Sequence, residues 1–213
     1  TSAASGGTLT LTGSGKITTG TLDVGYDTVT ATAHTGGLVA VIGATVDTVI
    51  NLGSGADTIT ASTEDTLVST DKLQVSGGGG TDTLIMIESA DLSTAAEAGH
   101  YTNFEILQAT TAFDFDLMTS LTGLKMTASD TIAYTNMSAA VASNILFTGN
   151  NATSTTFTLK NATGTSDVVS IVNDHVTAAT DVDLIGIAVA GVETVNVTNN
   201  NGAANGDAVF GFL

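Results

Sequence analysis

Aliphatic residues recur at a near-constant interval along the first 90 residues of the chain. The series consists of Val29, Val39, Val49, Ile59, Leu67, Val75 and Leu84, with steps of 10, 10, 10, 8, 8 and 9. This interval is too long for one face of a helix, and glycine interrupts most of the intervening segments. It fits a short strand followed by a tight turn, repeated many times.

Two such units form one coil of a flattened solenoid, and stacked coils bury a core that a single repeat cannot bury alone. We therefore predict an all-β fold, a parallel β-solenoid or β-roll whose aliphatic series faces inward. An antiparallel meander is the competing interpretation. The solenoid is favoured because the turns keep one order at each step: glycine, then aspartate, then an aliphatic residue.

A longer repeat follows the near-nine series. The segment "GTDTLIMI" (80–87) leads to "NFEILQAT" (103–110), and "GTSDVVSIV" (164–172) leads in the same way to "GVETVNVT" (191–198). We predict a β-roll over 1–88 and an irregular β-solenoid over 89–213, or one continuous domain with a soft boundary. Glu105 and Glu193 each precede a strand, so we expect them to cap or fix a turn.

Helix signals are few. The segments 91–100 and 137–146 each predict a single turn or a short helix, because a polar residue that can cap precedes small, helix-favouring residues.

The charge balance narrows the classes of partner. The 213 residues contain 21 acids against 4 lysines and no arginine, giving a net charge of −17, and 16 of the acids are aspartate. Nucleic acid is excluded as a partner because phosphate contacts need a basic face. The apolar runs are too short for membrane insertion. Short carboxylates suit loop-based cation sites, although a plain solubility charge is the alternative.

The turns carry a recognisable calcium motif. The stretch "GGGGTDTLI" (77–85) fits the nonapeptide G-G-x-G-x-D-x-U-x, in which U is a large aliphatic residue, at every fixed position. The stretch "LGSGADTIT" (52–60) fits it except at Leu52. Weaker copies are 22–30 and 42–50. Glycines allow tight turns that aim carbonyl oxygens at a common centre, and aspartate supplies the anionic oxygen that Ca²⁺ prefers.

The candidate calcium-binding residues come from these copies. They are Gly53, Gly55, Asp57, Gly77, Gly78, Gly79, Gly80 and Asp82, with Asp27, Asp47 and Asp65 in degraded contexts. In a β-roll, sites form between turns about 18 residues apart on one edge. The spacing therefore predicts Asp47, Asp65 and Asp82 on one edge and Asp57 on the opposite edge. The alternative is a metal-free solenoid with ordinary Asp-Gly turns.

On these motifs, 22–90 resembles the RTX calcium-binding repeats of proteins exported by type I secretion. Together with the later units and the lack of cysteine, the chain resembles RTX-type bacterial surface-layer proteins of the Caulobacter-like kind. The resemblance implies Ca²⁺ as cofactor, folding and lattice assembly driven by calcium, and location on the bacterial cell surface. It implies the protein itself as partner in a two-dimensional lattice, and a cell-surface polysaccharide as a further partner. The end "DAVFGFL" (207–213) could be a secretion signal or a boundary of the segment.

No catalytic motif is recognisable, and we expect a structural protein and not an enzyme. His34, His100 and His175 lack metal spacing and are expected at the surface or in caps. "FDFD" (113–116) is expected to place phenylalanine inward and aspartate outward. The alternative functions are an RTX adhesin module and the C-terminal secretion domain of a type I-secreted enzyme. An ice-binding solenoid ranks last, because the threonines do not recur regularly in every coil.

Overall fold

The computed structural model describes residues 6–22, 25–44, 47–62, 67–127, 131–149, 154–174, 182–200 and 208–212. The chain divides into two compact units, Thr1–Leu107 and Gln108–Leu213. The change of repeat predicted near residue 88 falls inside the first unit.

Two parallel sheets build the first unit. Odd-numbered strands form one sheet in the order β1 (Gly7–Gly13), β3 (Tyr26–His34), β5 (Val49–Asn51), β7 (Gln74–Ser76) and β9 (Tyr101–Thr102). Even-numbered strands form the other: β2 (Ile17–Leu22), β4 (Leu38–Ile42), β6 (Thr58–Thr60) and β8 (Thr83–Met86). Strand β10 (Ile106–Ala109) contains the boundary between the units.

The second unit repeats this arrangement. Its odd sheet has the order β11 (Phe113–Asp114), β13 (Ile132–Met137), β15 (Thr155–Leu159), β17 (Val182–Val189) and β19 (Ala208–Phe212). Its even sheet contains β12 (Gly123–Met126), β14 (Ile145–Phe147), β16 (Val168–Asn173) and β18 (Thr194–Asn199).

Within each sheet, neighbouring strands lie two places apart along the chain and pair in parallel, so the chain alternates between two sheets as it advances. This is a parallel β-solenoid, and the predicted fold class is confirmed. The antiparallel meander is excluded for the described strands. Parallel pairing between coils also explains the sequence pattern, because each coil must bury the same alternate positions as its neighbour.

The core of the first unit consists of aliphatic columns that run from coil to coil. Val29 pairs with Ile50, which pairs with Val75, and all three are buried. In the facing sheet, Ile59 pairs with Leu84, and both side chains are fully buried.

Most members of the aliphatic series face inward as predicted, but Val39 and Val49 do not. Both are only half-buried, because the inward positions of their strands are taken by Leu38, Ala40 and Ile50. The true spacing of core residues therefore departs by one residue from the regular series at these two strands.

Aromatic residues fill the second unit. Tyr134 and Phe157 lie on paired strands with ring centroids 5.8 Å apart and planes 15° from parallel. Phe113 and Phe115 are buried, whereas Asp114 is half-buried and Asp116 is exposed. The inward and outward assignment of "FDFD" is therefore confirmed.

In the described part of the chain, the helices are single turns, as the sequence predicts. A 3-10 helix, Ser89–Leu92, precedes α1 (Ala95–Ala98), which Thr94 and Glu97 close with a reciprocal capping box. Ser138 caps α2 (Ala139–Ala142). Among the described residues, no helix is long and apolar enough to cross a membrane.

Candidate functional site

The turns from odd to even strands in the first unit form one stacked edge, which we call the glycine edge. It contains the turns 36–37, 53–55 and 77–80, one in each of three successive coils. Backbone hydrogen bonds join these turns, since the Ser54 N–H donates to the His34 carbonyl and the Gly79 N–H donates to the Gly53 carbonyl.

Glycine is required at this edge because the backbones of neighbouring coils touch. A Cβ added to Gly53 would overlap the carbonyl oxygen of His34, and one added to Gly55 would overlap that of Gly36. Gly78 and Gly80 also have positive φ, at 89° and 122°. Gly79 differs from them, because a Cβ there would meet nothing within 4 Å.

A column of acids runs along the glycine edge. Each acid stands directly before an even strand, and its carboxylate accepts the backbone N–H one coil back. Asp57 accepts from Leu38 at 2.6 Å, Asp82 from Asp57 at 2.8 Å, and Glu105 from Asp82 at 2.9 Å. The nonapeptide aspartates are thus brought together in neighbouring coils, and Glu105 continues their column.

The two aspartates of this column are buried, and each leaves one oxygen without a hydrogen bond. Asp57 is 1% exposed and Asp82 is 0% exposed. The Oδ2 atoms of both lack a hydrogen-bond partner. An unpartnered buried anionic oxygen is costly unless it takes up a proton or a cation.

The pKa values of both aspartates are raised by this burial. Burial raises the pKa of Asp82 to about 7, although the Asp57 N–H opposes the rise, and the nearby charges of Asp57 and Glu105 add to it. Burial also raises the pKa of Asp57, against the opposing effects of the Leu38 N–H, the nearby His34 and the Gly53 N–H.

The predicted assignment of acids to edges is wrong. Asp57 shares an edge with Asp82, whereas Asp47 precedes the odd strand β5 and Asp27 lies at the start of β3, on the opposite edge. The reason is that the coils are longer than 18 residues: the hydrogen bonds along the column span 19, 25 and 23 residues. Asp65 lies outside the described residues.

The acids on the opposite edge are solvated. Asp47 lies 3.8 Å from the Lys72 amine, with both side chains mostly exposed. Asp27 is exposed and accepts a hydrogen bond from the Gly6 N–H at 3.0 Å. These acids therefore lack the buried, unpartnered oxygens that characterise Asp57 and Asp82.

The second unit contains the same pairing of aspartate and glutamate. The Asp167 N–H donates to a carboxylate oxygen of Glu193 at 2.9 Å, across 26 residues. The capping role expected for Glu105 and Glu193 is thus confirmed by their contacts. This second pair is more open, because Asp167 is half-buried and Glu193 is exposed.

The unpartnered oxygens of Asp57 and Asp82 are of the carboxylate type that Ca²⁺ prefers. Two carboxylate oxygens are free of hydrogen bonds, and the glycines of the neighbouring turns bring backbone carbonyl oxygens of successive coils close together. Calcium takes 6–8 oxygens, so backbone carbonyls and water would have to complete the shell. Within the described residues, no group of three or more His, Asp or Glu side chains is placed to hold a metal ion.

Two histidines lie in the interior and not at the surface. His34 is 1% exposed and its Nε2 atom lies 2.8 Å from the Gly15 carbonyl oxygen. His100 is 5% exposed and contacts two carbonyl oxygens. The predicted position is at the surface or in a cap. The surface position is wrong for both, because both are buried, whereas their contacts with backbone carbonyl oxygens fit a capping role. His175 lies outside the described residues.

No known protein family matches this chain, and no curated protein is significantly similar to it.

Proposed function

We propose that this chain is a calcium-stabilised structural segment of a secreted bacterial surface-layer protein that assembles with copies of itself. One observation carries the calcium part of the proposal. Asp57 and Asp82 stand one coil apart on the glycine edge, and each keeps a buried carboxylate oxygen without a hydrogen bond.

Asp57 and Asp82 would hold the ion through these Oδ2 atoms, with carbonyl oxygens of the glycine edge as further ligands. Their Oδ1 atoms would continue to accept backbone N–H groups. Each aspartate therefore has two separate tasks, one in joining coils and one in binding a cation. A bound divalent ion would neutralise two neighbouring charges and add a link between two coils.

The net negative charge of the chain makes a bound cation at this link more stabilising. A net charge of −17 disfavours a compact state through self-repulsion, and bound cations reduce that repulsion. Extracellular calcium modules bind with dissociation constants of about 10⁻⁴–10⁻³ M. Calcium at 100-fold excess over such a constant stabilises the folded state by about 2.7 kcal/mol per site.

The lattice part rests on the resemblance to RTX-type surface-layer proteins and on the surface of the second unit. That unit exposes the aliphatic side chains of Val168, Ile185, Val195 and Val197, at 36–38%. These residues offer apolar area for contacts between copies. The threonine pattern supports the low rank of ice binding, because the paired Thr8–Thr28 and Thr10–Thr30 positions continue into Val49 and Asn51 in the next coil.

Circular dichroism and electron microscopy test the two parts separately. Removing calcium with a chelator should lower the melting temperature and weaken the strand signal, and calcium should restore both. Adding millimolar calcium to the parent protein should produce ordered sheets. An unchanged melting temperature would refute the calcium part. Calcium-dependent folding without sheets would reject the lattice in favour of an adhesin module or a secretion domain.

A further inference from the structure

In the described part of the chain, the even sheet ends at strand β18, and this strand exposes residues that its neighbour buries. β18 pairs with β16 through six residue pairs and has a described strand on that side only. Val195 pairs with Val169, and Val197 pairs with Ile171. The two β16 residues are 0% and 1% exposed, whereas Val195 and Val197 are 37% and 38% exposed. The inward side chains of this coil therefore have no cover from the described residues on the side where a further coil would stack.

The first coil of the first unit has the same kind of edge. Leu9 pairs with Val29, which is fully buried, but Leu9 itself is only half-buried. In the even sheet, Ile17 pairs with the fully buried Leu38 and is again only half-buried. Gly20, the next inward position of β2, is exposed, and a Cβ there would meet nothing within 4 Å. This edge thus offers apolar inward side chains and open space beside a glycine.

Charged residues are absent from the four strands at these two edges. β1 and β2 at one edge, and β18 and β19 at the other, contain no Asp, Glu, Lys or Arg. Natural proteins usually protect the edges of sheets with charged side chains, because an unprotected edge pairs readily with another chain. In a chain with a net charge of −17, four uncharged edge strands favour contact with a further strand.

Residues of opposite charge directly precede the two even edge strands. Glu193 precedes β18 and Lys16 precedes β2, and both side chains are exposed. The chain has only four lysines and no arginine, so a cation at this position is uncommon. The two unlike edges are therefore complementary in charge, which favours their contact. A two-fold contact of β18 with itself would bring no cation of that strand to Glu193.

We propose that copies of this chain stack head to tail, with β18 of one copy parallel to β2 of the next, so that the even sheet continues from copy to copy. The inference rests on the self-assembly part of the proposed function and names the surfaces that meet. The even strands already pair in parallel within one chain, so the contact repeats that geometry. A head-to-tail contact leaves one edge of each kind at the ends of an assembly, which therefore extends as a filament or closes as a ring.

Continuing the column of capping acids across the contact defines its register. Ile17 occupies the same inward position as the acids of the glycine edge, in the first coil. In the next copy it therefore lies beside Glu193, and Lys16 is one residue away from that acid. Val195 then packs into the open space beside Gly20. Of the exposed aliphatic residues in the second unit, those of β18 belong to this contact.

Cysteine cross-linking tests the contact directly, because the chain contains no cysteine of its own. In the proposed register, Thr194 of one copy lies beside Thr18 of the next, and both side chains are exposed. An equimolar mixture of T18C and T194C in calcium-containing buffer should form disulfide-linked dimers on mild oxidation. Neither variant alone should do so. Dimers of T194C alone would show a two-fold contact of β18 and would overturn the proposal.

Substitutions at the edges test the apolar and charged parts of the contact, with sedimentation velocity as the measurement. V197D should weaken association about tenfold or more, because it places a carboxylate in a contact that excludes water. V168D is the matched control, since Val168 is 36% exposed but lies on β16, away from the edge. K16E should weaken association about two- to fivefold. K72E changes the net charge equally in the connection 67–73 and should have no such effect.

The outcomes separate this contact from the proposed function. Assembly without a cross-link between T18C and T194C would reject the head-to-tail contact and leave self-assembly standing. Assembly that V168D abolishes and V197D leaves intact would place the contact on the outer face of the sheet and would also overturn the proposal. A chain that stays monomeric in calcium at every concentration overturns the contact and self-assembly together, including the case in which further coils of a parent chain cover these edges. The calcium part is measured separately by chelation.

Discussion

The backbone N–H of Asp57 donates to the Oδ1 atom of Asp82 over 2.8 Å, although 25 residues separate them. The same relationship joins Leu38 to Asp57 and Asp82 to Glu105. Each acid of the column therefore fixes the start of the preceding even strand. The free Oδ2 atoms of the two aspartates remain for a proton or a cation.

The two tasks of Asp82 can be separated by substitution. D82N keeps an oxygen for the Asp57 N–H, whereas D82A leaves that buried N–H without an acceptor. We expect D82A to lower the free energy of unfolding by about 1–3 kcal/mol more than D82N in calcium-free buffer. Urea denaturation in calcium-free buffer measures the free energy of unfolding of both variants. Equal losses would mean that the hydrogen bond contributes nothing to the joining of coils.

Stability without calcium should depend on pH in a direction opposite to that of an ordinary salt-bridged aspartate. Burial raises the pKa of Asp82 in the folded state to about 7, above the ordinary aspartate value of 3.8, so the folded state binds the proton more tightly. Stability from this group is therefore complete at low pH and is lost as pH rises toward 7. Urea denaturation at pH 5 and at pH 8 measures the change in the free energy of unfolding.

D82N is the control for this dependence, because the other acids of the chain also titrate. The variant should lose the part of the change that belongs to Asp82. If the variant and the wild type show the same slope between pH 5 and pH 8, Asp82 is not the source. Bound calcium should also reduce the slope, because it stabilises the ionised carboxylate.

Glycine substitutions test the close approach of the coils. A Cβ at Gly53 would overlap the His34 carbonyl oxygen, so G53A should destabilise the fold by about 1–3 kcal/mol or more through a forced backbone shift. Gly79 provides the matched control, because a Cβ there meets nothing within 4 Å. G79A should be neutral or stabilising by less than about 1 kcal/mol. Thermal melts compare the stability of the two variants. If G79A loses as much stability as G53A, the close approach of the coils at Gly53 is not what makes its substitution costly.

Glu105 and Glu193 occupy equivalent positions but should differ in how much they contribute to the free energy of unfolding. Glu105 is half-buried and caps the fully buried Asp82, whereas Glu193 is exposed and caps the half-buried Asp167. E105A should lower the free energy of unfolding by about 1–3 kcal/mol, because it leaves a buried N–H unpaired. E193A should cost about 0.5 kcal/mol or less, as surface changes usually do. The reverse order would show that burial does not determine the strength of these caps.

The fold class could be predicted because the core of a solenoid is local in sequence: each strand alternates inward and outward positions within a few residues. Which aspartates share an edge of the solenoid could not be predicted in this way. Leu67 fits the aliphatic series and is buried, yet it lies in the connection 67–73 and not in a strand. A regular series of aliphatic residues therefore does not show which connection has been lengthened.

The candidate site was only partly predictable for a similar reason. The nonapeptide indicates Asp57 and Asp82, and the longer repeat indicates Glu105 as a cap, since these are local motifs. The burial of His34 and His100 depends on carbonyl oxygens 19 to 32 residues away. No short motif marks such contacts, because they are set by the length of each coil.

Calorimetric titration of calcium into the wild type and into a D57N/D82N double variant tests the central claim most directly. The account predicts binding to the wild type in the range of about 10⁻⁴–10⁻³ M or tighter, and loss of a site in the variant. Circular dichroism should show that the variant remains folded in the same buffer. Calcium binding of equal stoichiometry and affinity in both proteins, or no binding to the wild type, would contradict the claim that these two aspartates hold the ion.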